Sequence, residues 1–196
     1  MRRAATIFLL LLTIAGVPAH AQLEATIAAA QLAEQKAYVR QTLEMITDAT
    51  GSRPHGWSSP SVYSNGDTPE AVAAEGVVYT LDQMDSDIIE RFKTPEGPLM
   101  LLPYPVVTVD MGQELARMHG PREIETLWLD YVGELAAEAH AEPTREATAV
   151  VIGIHPFVVG TPDGAAAMRR VLLHLKQEDL VWLTDTDAMR KAAGLD

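Results

Sequence analysis

The sequence predicts an α/β fold built on a mainly parallel sheet or barrel, in a chain long enough for one domain. Two observations carry this prediction. Short apolar runs typical of buried strands recur along the chain, and longer segments with apolar residues at helical spacing separate them. The predicted order is helix, strand, helix, strand, strand, helix, strand, helix, strand, helix, without an internal repeat. Because parallel strands need crossovers that helices supply, this alternation favours a parallel sheet.

The N-terminal segment has the pattern of a secretory signal peptide. Arg2 and Arg3 form a basic start, residues 4–17 are apolar, and "AHA" at 19–21 matches a cleavage site. The apolar run is short for a membrane span. We therefore expect residues 1–21 to be removed and residues 22–196 to form the mature domain, periplasmic or secreted; the alternative is an uncleaved membrane anchor.

Charge and composition exclude several classes of partner. The formal net charge of −12 disfavours nucleic acid and anionic membrane surfaces. The chain has no cysteine, so it has neither a disulfide nor a thiolate metal site. After cleavage we expect no stable membrane span and no nucleic-acid partner.

The first half of the mature chain predicts two helices and three strands. A helix over residues 22–50 ends at Gly51, and its apolar residues at helical spacing are Leu32, Val39, Leu43 and Ile46. Residues 53–57 predict a short strand, and residues 58–67 a loop. Thr68 is the expected N-cap of a second helix that Gly76 ends. Residues 77–79 and 98–102 predict strands, with an acidic loop over 80–87.

The second half predicts amphipathic helices around a buried strand. Residues 121–139 predict a helix whose apolar side comprises Ile124, Leu127, Trp128, Tyr131, Val132 and Leu135. Residues 148–154 predict the most buried strand, ending on His155. The helix begun by Thr161 and Pro162 is expected to turn four residues inward: Met168, Val171, Leu172 and Leu175. Residues 180–183 predict the last strand, and residues 184–186 cap a final helix.

Polar and aromatic side chains follow the ends of the predicted strands. The carboxyl ends of parallel strands meet at one rim, where loops shape a pocket. The residues expected at this rim are Trp57, Ser59, Asp82, Asp85, Asp87, Tyr104, Asp110 and His155. Each also has an ordinary alternative: a core indole for Trp57, a solvated turn for the aspartates, and a strand end bonded to a loop carbonyl for His155.

Other chemistries lack their motifs. The sequence has no Gly-x-Ser-x-Gly, no Gly-x4-Gly-Lys and no Gly-x-Gly-x-x-Gly. Its histidines are too far apart in sequence to form a local zinc pair.

Three segments together resemble a known family: "TGSRPHGWSSPSVYSNGDTPEAVAAEGVVYTLDQMDSD", "PLMLLPYPVVTVDM" and "GIHPFVVGTPDGAAAMRRVLLHLKQEDLVWLTDTDAMRK". In order and spacing they are similar to the polysaccharide deacetylase (NodB-like) family, in its allantoinase-like branch, over about residues 29–194. The resemblance implies a truncated, distorted (β/α) barrel with mainly parallel strands. Residues 22–196 would be a partial deacetylase-like catalytic domain.

The resemblance also implies a chemistry. Such enzymes hydrolyse carbon–nitrogen (non-peptide) amide bonds of N-acylated carbohydrates or related small amides, with a divalent metal, usually zinc. His155 matches the histidine that protonates the leaving amine, which suits an imidazole. Trp57, Ser59, Asp82, Tyr104 and Asp110 are the candidate substrate-binding residues, and we assign no residue as a metal ligand.

Two family motifs are missing from this sequence. These are the Thr-Phe-Asp-Asp-like strand and the His-x3-His motif, which carry the base and the zinc ligands. Three hypotheses stay open: a hydrolase whose missing parts come from a partner chain, a non-catalytic carbohydrate-binding or interaction module, or a gene product that begins too late. Loss of the first barrel strands would leave an open edge, which a homo-oligomer could cover.

Overall fold

A computed structural model describes residues 2–142, 148–179 and 181–192, with side chains from Glu24 onward except at residue 192. Six α-helices are present in this part of the chain: α1 (Arg2–Thr50), α2 (Thr68–Ala74), α3 (Pro121–Ala141), α4 (Pro156–Val159), α5 (Pro162–Leu175) and α6 (Thr186–Ala192). The strands are β1 (Gly56–Trp57), β2 (Tyr79–Gln83), β3 (Glu90–Thr94) and β4 (Gly97–Pro103). Short 3-10 turns cover Pro60–Val62 and Val106–Thr108, and a π-helical turn covers Gly112–Ala116.

The four strands form one mostly parallel sheet in the order β1-β2-β4-β3. Strands β1, β2 and β4 run parallel, with Trp57 beside Thr80 and Thr80 beside Leu101. Only β3 runs antiparallel to its neighbour among these strands. The predicted α/β class with mainly parallel strands is confirmed, and the sheet is not closed into a barrel.

Strand β3 is an element that the sequence analysis missed. It joins β4 through a tight hairpin, where the hydroxyl of Thr94 donates to the carbonyl of Gly97 over 2.6 Å and Gly97 has a φ of 131°. Its residues "ERFKT" are largely exposed, so they lack the apolar alternation that predicts a strand. Strand β2 likewise continues through Gln83, into the segment predicted to be a loop.

Helices α1 and α2 cover one face of the sheet. Val39 and Leu43 of α1 are buried with Val72, Val77 and Leu99. Ile46 was predicted to point inward and is instead 41% exposed. Thr68 is the first residue of α2, and the side chain of Asn65 accepts the amide hydrogens of Asp67 and Thr68 in place of the predicted Thr68 cap.

Helices α3 and α5 form a second core. Ile124, Trp128 and Val132 of α3 are buried against Val171 and Leu175 of α5. The side chain of Thr161 caps α5 by accepting the amide hydrogen of Gly164. The prediction for Leu172 is wrong: it is 44% exposed, while Ala167 fills an inward position of this helix.

The segment leading to His155 is extended without forming a regular strand. Thr148 and Gly153 make isolated bridges to Ile88 and Val109, and the amide of Val151 donates to the carbonyl of Pro103. The segment is half-buried, so the prediction of the most buried strand is wrong. Residues 181–183 do not form the predicted strand, and Trp182 and Leu183 are exposed. Leu180 lies outside the described residues. Asp185 caps α6 through the amide of Ala188.

A search of the described residues for a membrane-crossing segment finds no helix with sufficient length and apolar character. The predicted signal segment, residues 1–21, lies wholly before Glu24, where the side chains are not described.

Candidate functional site

The carboxyl ends of β1, β2 and β4 meet at one edge of the sheet because these strands are parallel. Trp57 ends β1, Asp82 lies at the end of β2, and Tyr104 follows β4 directly. The segment that leads to His155 runs beside the end of β4. The structure places the predicted site residues in two hydrogen-bonded groups along this edge.

Asp110 and His155 form the first group. The Nδ1 atom of His155 lies 2.6 Å from Oδ1 of Asp110, and the backbone amide of His155 donates to Oδ2 over 2.7 Å. The side chain of Asp110 is fully buried, while that of His155 is 30% exposed. Since an ionised carboxylate only accepts hydrogen bonds, Nδ1 carries the hydrogen of this contact. The Nε2 atom has no partner among the described residues and can exchange a proton with a ligand.

Backbone contacts hold Asp110 in this position. Its amide donates to the carbonyl of Gly153 over 3.1 Å, and the amide of Gly153 donates to Thr108 over 2.9 Å. The buried hydroxyl of Thr108 lies 2.7 Å from the carbonyl of Val151. The amide of Met111 donates to Oδ1 of Asp110 over 2.6 Å. These contacts hold the turn after β4 against the extended segment. Backbone pairing therefore places Asp110 within hydrogen-bond distance of His155.

Tyr104 lies against this group. Burial, and then the negative charge of Asp110, raise the pKa of Tyr104 above its ordinary value of 10.0. Its ring covers Gly153 so closely that a Cβ atom at position 153 would lie 2.9 Å from Cζ of the tyrosine. Tyr104 therefore keeps its hydroxyl hydrogen at neutral pH, as a neutral neighbour of the Asp110–His155 pair.

Ser59 and Asp82 form the second group. The backbone amide of Ser59 donates to Oδ1 of Asp82 over 2.7 Å, and its hydroxyl donates to Oδ2 over 2.6 Å. The indole nitrogen of Trp57 donates to the same hydroxyl over 3.1 Å. The ring of Trp57 meets Tyr38 of α1 edge to face, with centroids 6.4 Å apart, and packs on the core under α1. Trp57 thus has a structural role in this core and orients Ser59.

A cavity of about 460 Å³ opens beside Asp82. Residues from α2, the end of β2, β3 and β4 line it: Ser64, Thr68, Pro69, Val72, Thr80, Asp82, Gln83, Asp85, Ser86, Glu90 and Leu101. Of the eight residues predicted at the rim, its lining includes Asp82 and Asp85. The predicted rim is therefore divided into a cavity at Asp82 and a separate Asp110–His155 pair.

Glu90 and Gln83 are among the nine lining residues that were not predicted at the rim. Glu90 belongs to β3, which itself was not predicted, and Gln83 reaches the cavity where an irregularity shifts the register of β2 between Thr80 and Gln83. Such an irregularity changes the face on which a side chain lies. No feature of the sequence indicates this irregularity in β2. The hairpin between β3 and β4 could have been predicted from Gly97, which follows "TPE".

The described side chains do not fit the zinc that the resemblance implies. Among residues 24–142, 148–179 and 181–191, no group of three His, Asp or Glu side chains converges on one point. Zinc in proteins takes three or four such ligands. The oxygens of Asp110 already bind His155 and Met111, and those of Asp82 bind Ser59. The Asp110–His155 pair is accordingly suited to proton transfer and hydrogen bonding.

Comparison with solved structures identifies similar folds. A protein assigned as a polysaccharide deacetylase from Mycobacterium smegmatis superposes with a TM-score of 0.68 at 25% identity, over 84% of this chain and 59% of that chain. One from Pseudomonas aeruginosa PAO1, also assigned as a polysaccharide deacetylase, gives 0.66 at 24% identity, over 77% and 50%. The Puue allantoinase gives 0.68 at 23% identity, over 84% and 55%.

These neighbours confirm the predicted resemblance at the level of the fold. This chain spans between half and three fifths of the length of each. No family model matches the sequence. No curated protein matches it either.

Proposed function

We propose, from the fold that this chain shares with polysaccharide deacetylases and allantoinase, that it contributes to an exported deacetylase-like hydrolase. The substrate class is an N-acylated carbohydrate or a related small amide, cleaved at a carbon–nitrogen bond other than a peptide bond. One observation carries the proposal: the buried carboxylate of Asp110 holds the imidazole of His155 at the carboxyl edge of a parallel sheet.

His155 is the general acid of this proposal. Its Nδ1–H donates to Asp110, so a proton on Nε2 is directed away from the pair and toward a ligand. When the amide carbon–nitrogen bond breaks, this proton passes to the leaving nitrogen, which departs as a neutral amine. Asp110 stabilises the imidazolium that donates it, because the carboxylate is buried and cannot move away.

A general acid alone does not activate water. The base and any metal site would come from outside the described residues, for example from a partner chain, and a chain without them is impaired as a hydrolase. A homo-oligomer would cover the open sheet edge, but a second copy lacks the same two motifs, so the missing base and metal ligands would have to come from a different chain.

Acetate release tests the hydrolase proposal. Purified protein is incubated with N-acetylated chitin oligomers, with and without added zinc, beside His155→Ala and the control His174→Ala, whose ring is exposed on α5. Because the base and any metal come from outside the described residues, we expect slow release by the wild type and the control, and a further loss of about 100-fold in His155→Ala. Equal rates in all three proteins would contradict the general-acid role of His155, and no release by the wild type under either condition would contradict activity of this chain without a partner.

A second candidate function is non-catalytic carbohydrate binding. The observation that favours it is the cavity beside Asp82, whose lining includes hydroxyl, amide and carboxylate groups and does not include His155. Saturable binding of a neutral sugar that is the same in wild type and His155→Ala would support this function. Loss of this binding in His155→Ala would instead place the sugar at the Asp110–His155 pair.

Export is part of the proposal and has its own test. Mass spectrometry of the protein recovered from the periplasm or medium should give an N-terminus at Gln22, after cleavage behind Ala21. Recovery of the protein only with an intact N-terminus in the membrane fraction would indicate the uncleaved anchor.

A further inference from the structure

We propose that an apolar groove along α5 binds an amphipathic helix of another protein, one whose apolar face is bordered by acidic residues. The groove is separate from the sites described above, since neither His155 nor any residue of the Asp82 cavity lines it. Binding of a partner helix there goes beyond both candidate functions and depends on neither of them.

The groove is lined by α5 together with apolar side chains from outside that helix. Ile154, Val159 and Leu183 are among these side chains, and the volume of the groove is about 620 Å³. Ile154 is 46% exposed and Leu183 is 44% exposed. Neighbouring apolar side chains that stay exposed on a folded domain typically mark a surface that binds another molecule.

The outward face of α5 forms the rest of the groove. Five exposed residues of this helix line it: Ala165, Arg169, Leu172, Leu173 and Lys176. Residues three and four positions apart lie on the same face of a helix, so these five form one stripe. The stripe extends for about 16 Å, or three helical turns. In chain order its last four residues present a cation, two leucines and a second cation.

The two cations of the stripe are not neutralised by the chain itself. Neither Arg169 nor Lys176 forms an ion pair with any described carboxylate, although the formal net charge of the chain is −12. The next residue differs, since Arg170 pairs with Glu125 of α3. Unpaired cations beside an apolar groove favour a partner that carries negative charge, because complementary charges attract across an interface.

The spacing of the two cations indicates the kind of partner. Arg169 and Lys176 are seven positions apart, which corresponds to about 10 Å along α5. A ligand with a single anionic group would contact only one of them, whereas two carboxylates on a helix can repeat the same two-turn spacing. Apolar side chains cannot pair with the backbone of an extended peptide, while a helix satisfies its own backbone groups. An acidic amphipathic helix therefore matches both the charge and the apolar character of the groove.

A synthetic helix is the probe for this groove. It is a fluorescently labelled, alanine-based peptide of about 15 residues with a face of leucines, bordered by two glutamates at the spacing of Arg169 and Lys176. A matched peptide carries lysines at these two positions. Fluorescence anisotropy with the purified full chain measures both affinities, at low and at high salt. We expect saturable binding of the glutamate peptide that is about tenfold tighter than that of the lysine peptide, with a difference that shrinks as salt is added.

Variants of the groove locate the binding site. Leu173→Ser alters a side chain that is 54% exposed, so the fold should tolerate it, and it should weaken the binding of both peptides about tenfold. The double variant Arg169→Gln/Lys176→Gln should lose the preference for the glutamate peptide. The controls are Leu115→Ser, at a side chain that is 67% exposed, and Lys93→Gln, on exposed β3. Both lie outside the groove and should change neither affinity.

The peptide measurements can overturn the proposal in three ways. Absence of saturable binding for both peptides would overturn the groove as a helix-binding surface. Equal affinities of the two peptides for the wild type would overturn the requirement for an acidic partner. A loss of binding in Leu115→Ser as large as that in Leu173→Ser would overturn the location of the site.

Other occupants of the groove have their own tests. Sedimentation over a range of concentrations should give the mass of a monomer, and self-association that Leu173→Ser abolishes would overturn the proposal in favour of a second copy of this chain. Vesicles of anionic phospholipid should not bind the protein through this groove. Vesicle binding that Leu173→Ser abolishes would overturn the proposal in favour of a membrane surface.

Discussion

The carboxylate of Asp110 binds His155 twice, through the ring Nδ1 atom at 2.6 Å and through the backbone amide at 2.7 Å. The buried carboxylate of Asp110 thereby fixes both the ring and the backbone of His155. The two residues are 45 positions apart in sequence, so this contact also ties the turn after β4 to the start of α4. The pair is at once a proton-transfer element and a structural link.

Asp110→Asn should destabilise the fold and weaken any activity that depends on His155. Asparagine replaces one acceptor oxygen by a donor, which then faces an N–H group in a fully buried position. We expect the free energy of unfolding to fall by about 1–3 kcal/mol, measured by urea denaturation. Glu114→Gln, at an exposed position, should change it by less than about 0.5 kcal/mol. Equal stabilities of the two variants would contradict the structural part of the pair's role.

Gly153→Ala should displace Tyr104. The added methyl group would lie 2.9 Å from Cζ of the tyrosine ring, closer than carbon atoms approach without movement. Overpacking of this kind costs about 1–3 kcal/mol, measurable by thermal unfolding. In a Tyr104→Ala background the same change should cost much less, because the ring is absent. Additive effects of the two changes would show that the ring is not the obstacle.

Trp128→Ala should be among the most damaging single changes in the second core. Its side chain is fully buried, and its indole nitrogen donates to the carbonyl of Val107 over 3.0 Å. Loss of the ring should lower the free energy of unfolding by about 3–5 kcal/mol. Leu172→Ala, on the exposed face of α5, is the control and should cost less than about 1 kcal/mol. Denaturant titration measures both, and a large effect at Leu172 would contradict the assignment of the inward face.

Stability should fall in alkaline solution, in part through Tyr104. Burial and the charge of Asp110 raise the pKa of its phenol in the folded state. Above pH 10.0, the ordinary pKa of the phenol, Tyr104 loses its proton in the unfolded chain and keeps it in the folded chain. The stability that is present below this pH is therefore lost as the pH rises. Tyr104→Phe should reduce the slope of unfolding free energy against pH in this range. Tyr63→Phe, at a residue that is 83% exposed, is the control, and an equal reduction there would contradict the effect.

The sequence predicted the helices well, because their apolar spacing reports burial directly. Val39, Leu43, Trp128 and Val171 are all buried as expected. Periodicity could not locate the margins of the buried helix faces, which is why Ile46 and Leu172 were predicted to lie inside. Strand β3 was not predicted because an exposed edge strand does not need apolar alternation.

The candidate site was predictable only in part. The positions of Asp82 and Tyr104 at one sheet edge follow from parallel strand direction. His155 lies near that edge although the strand predicted before it is absent. The contacts do not follow: His155 meets Asp110 through backbone pairing between distant segments, and Gln83 reaches the cavity through an irregular β2. Such features depend on tertiary register, which no local pattern encodes.

The hairpin that places β3 outermost has a consequence for the protein at high concentration. Charged residues dominate this margin, among them Glu90, Arg91 and Lys93, and all three are exposed. A neighbouring molecule that tried to extend the sheet there would have to crowd these side chains and strip them of water. The charged edge at β3 thereby disfavours fibre growth by strand addition. Such addition would have to use the opposite edge of the sheet, at the two-residue strand β1.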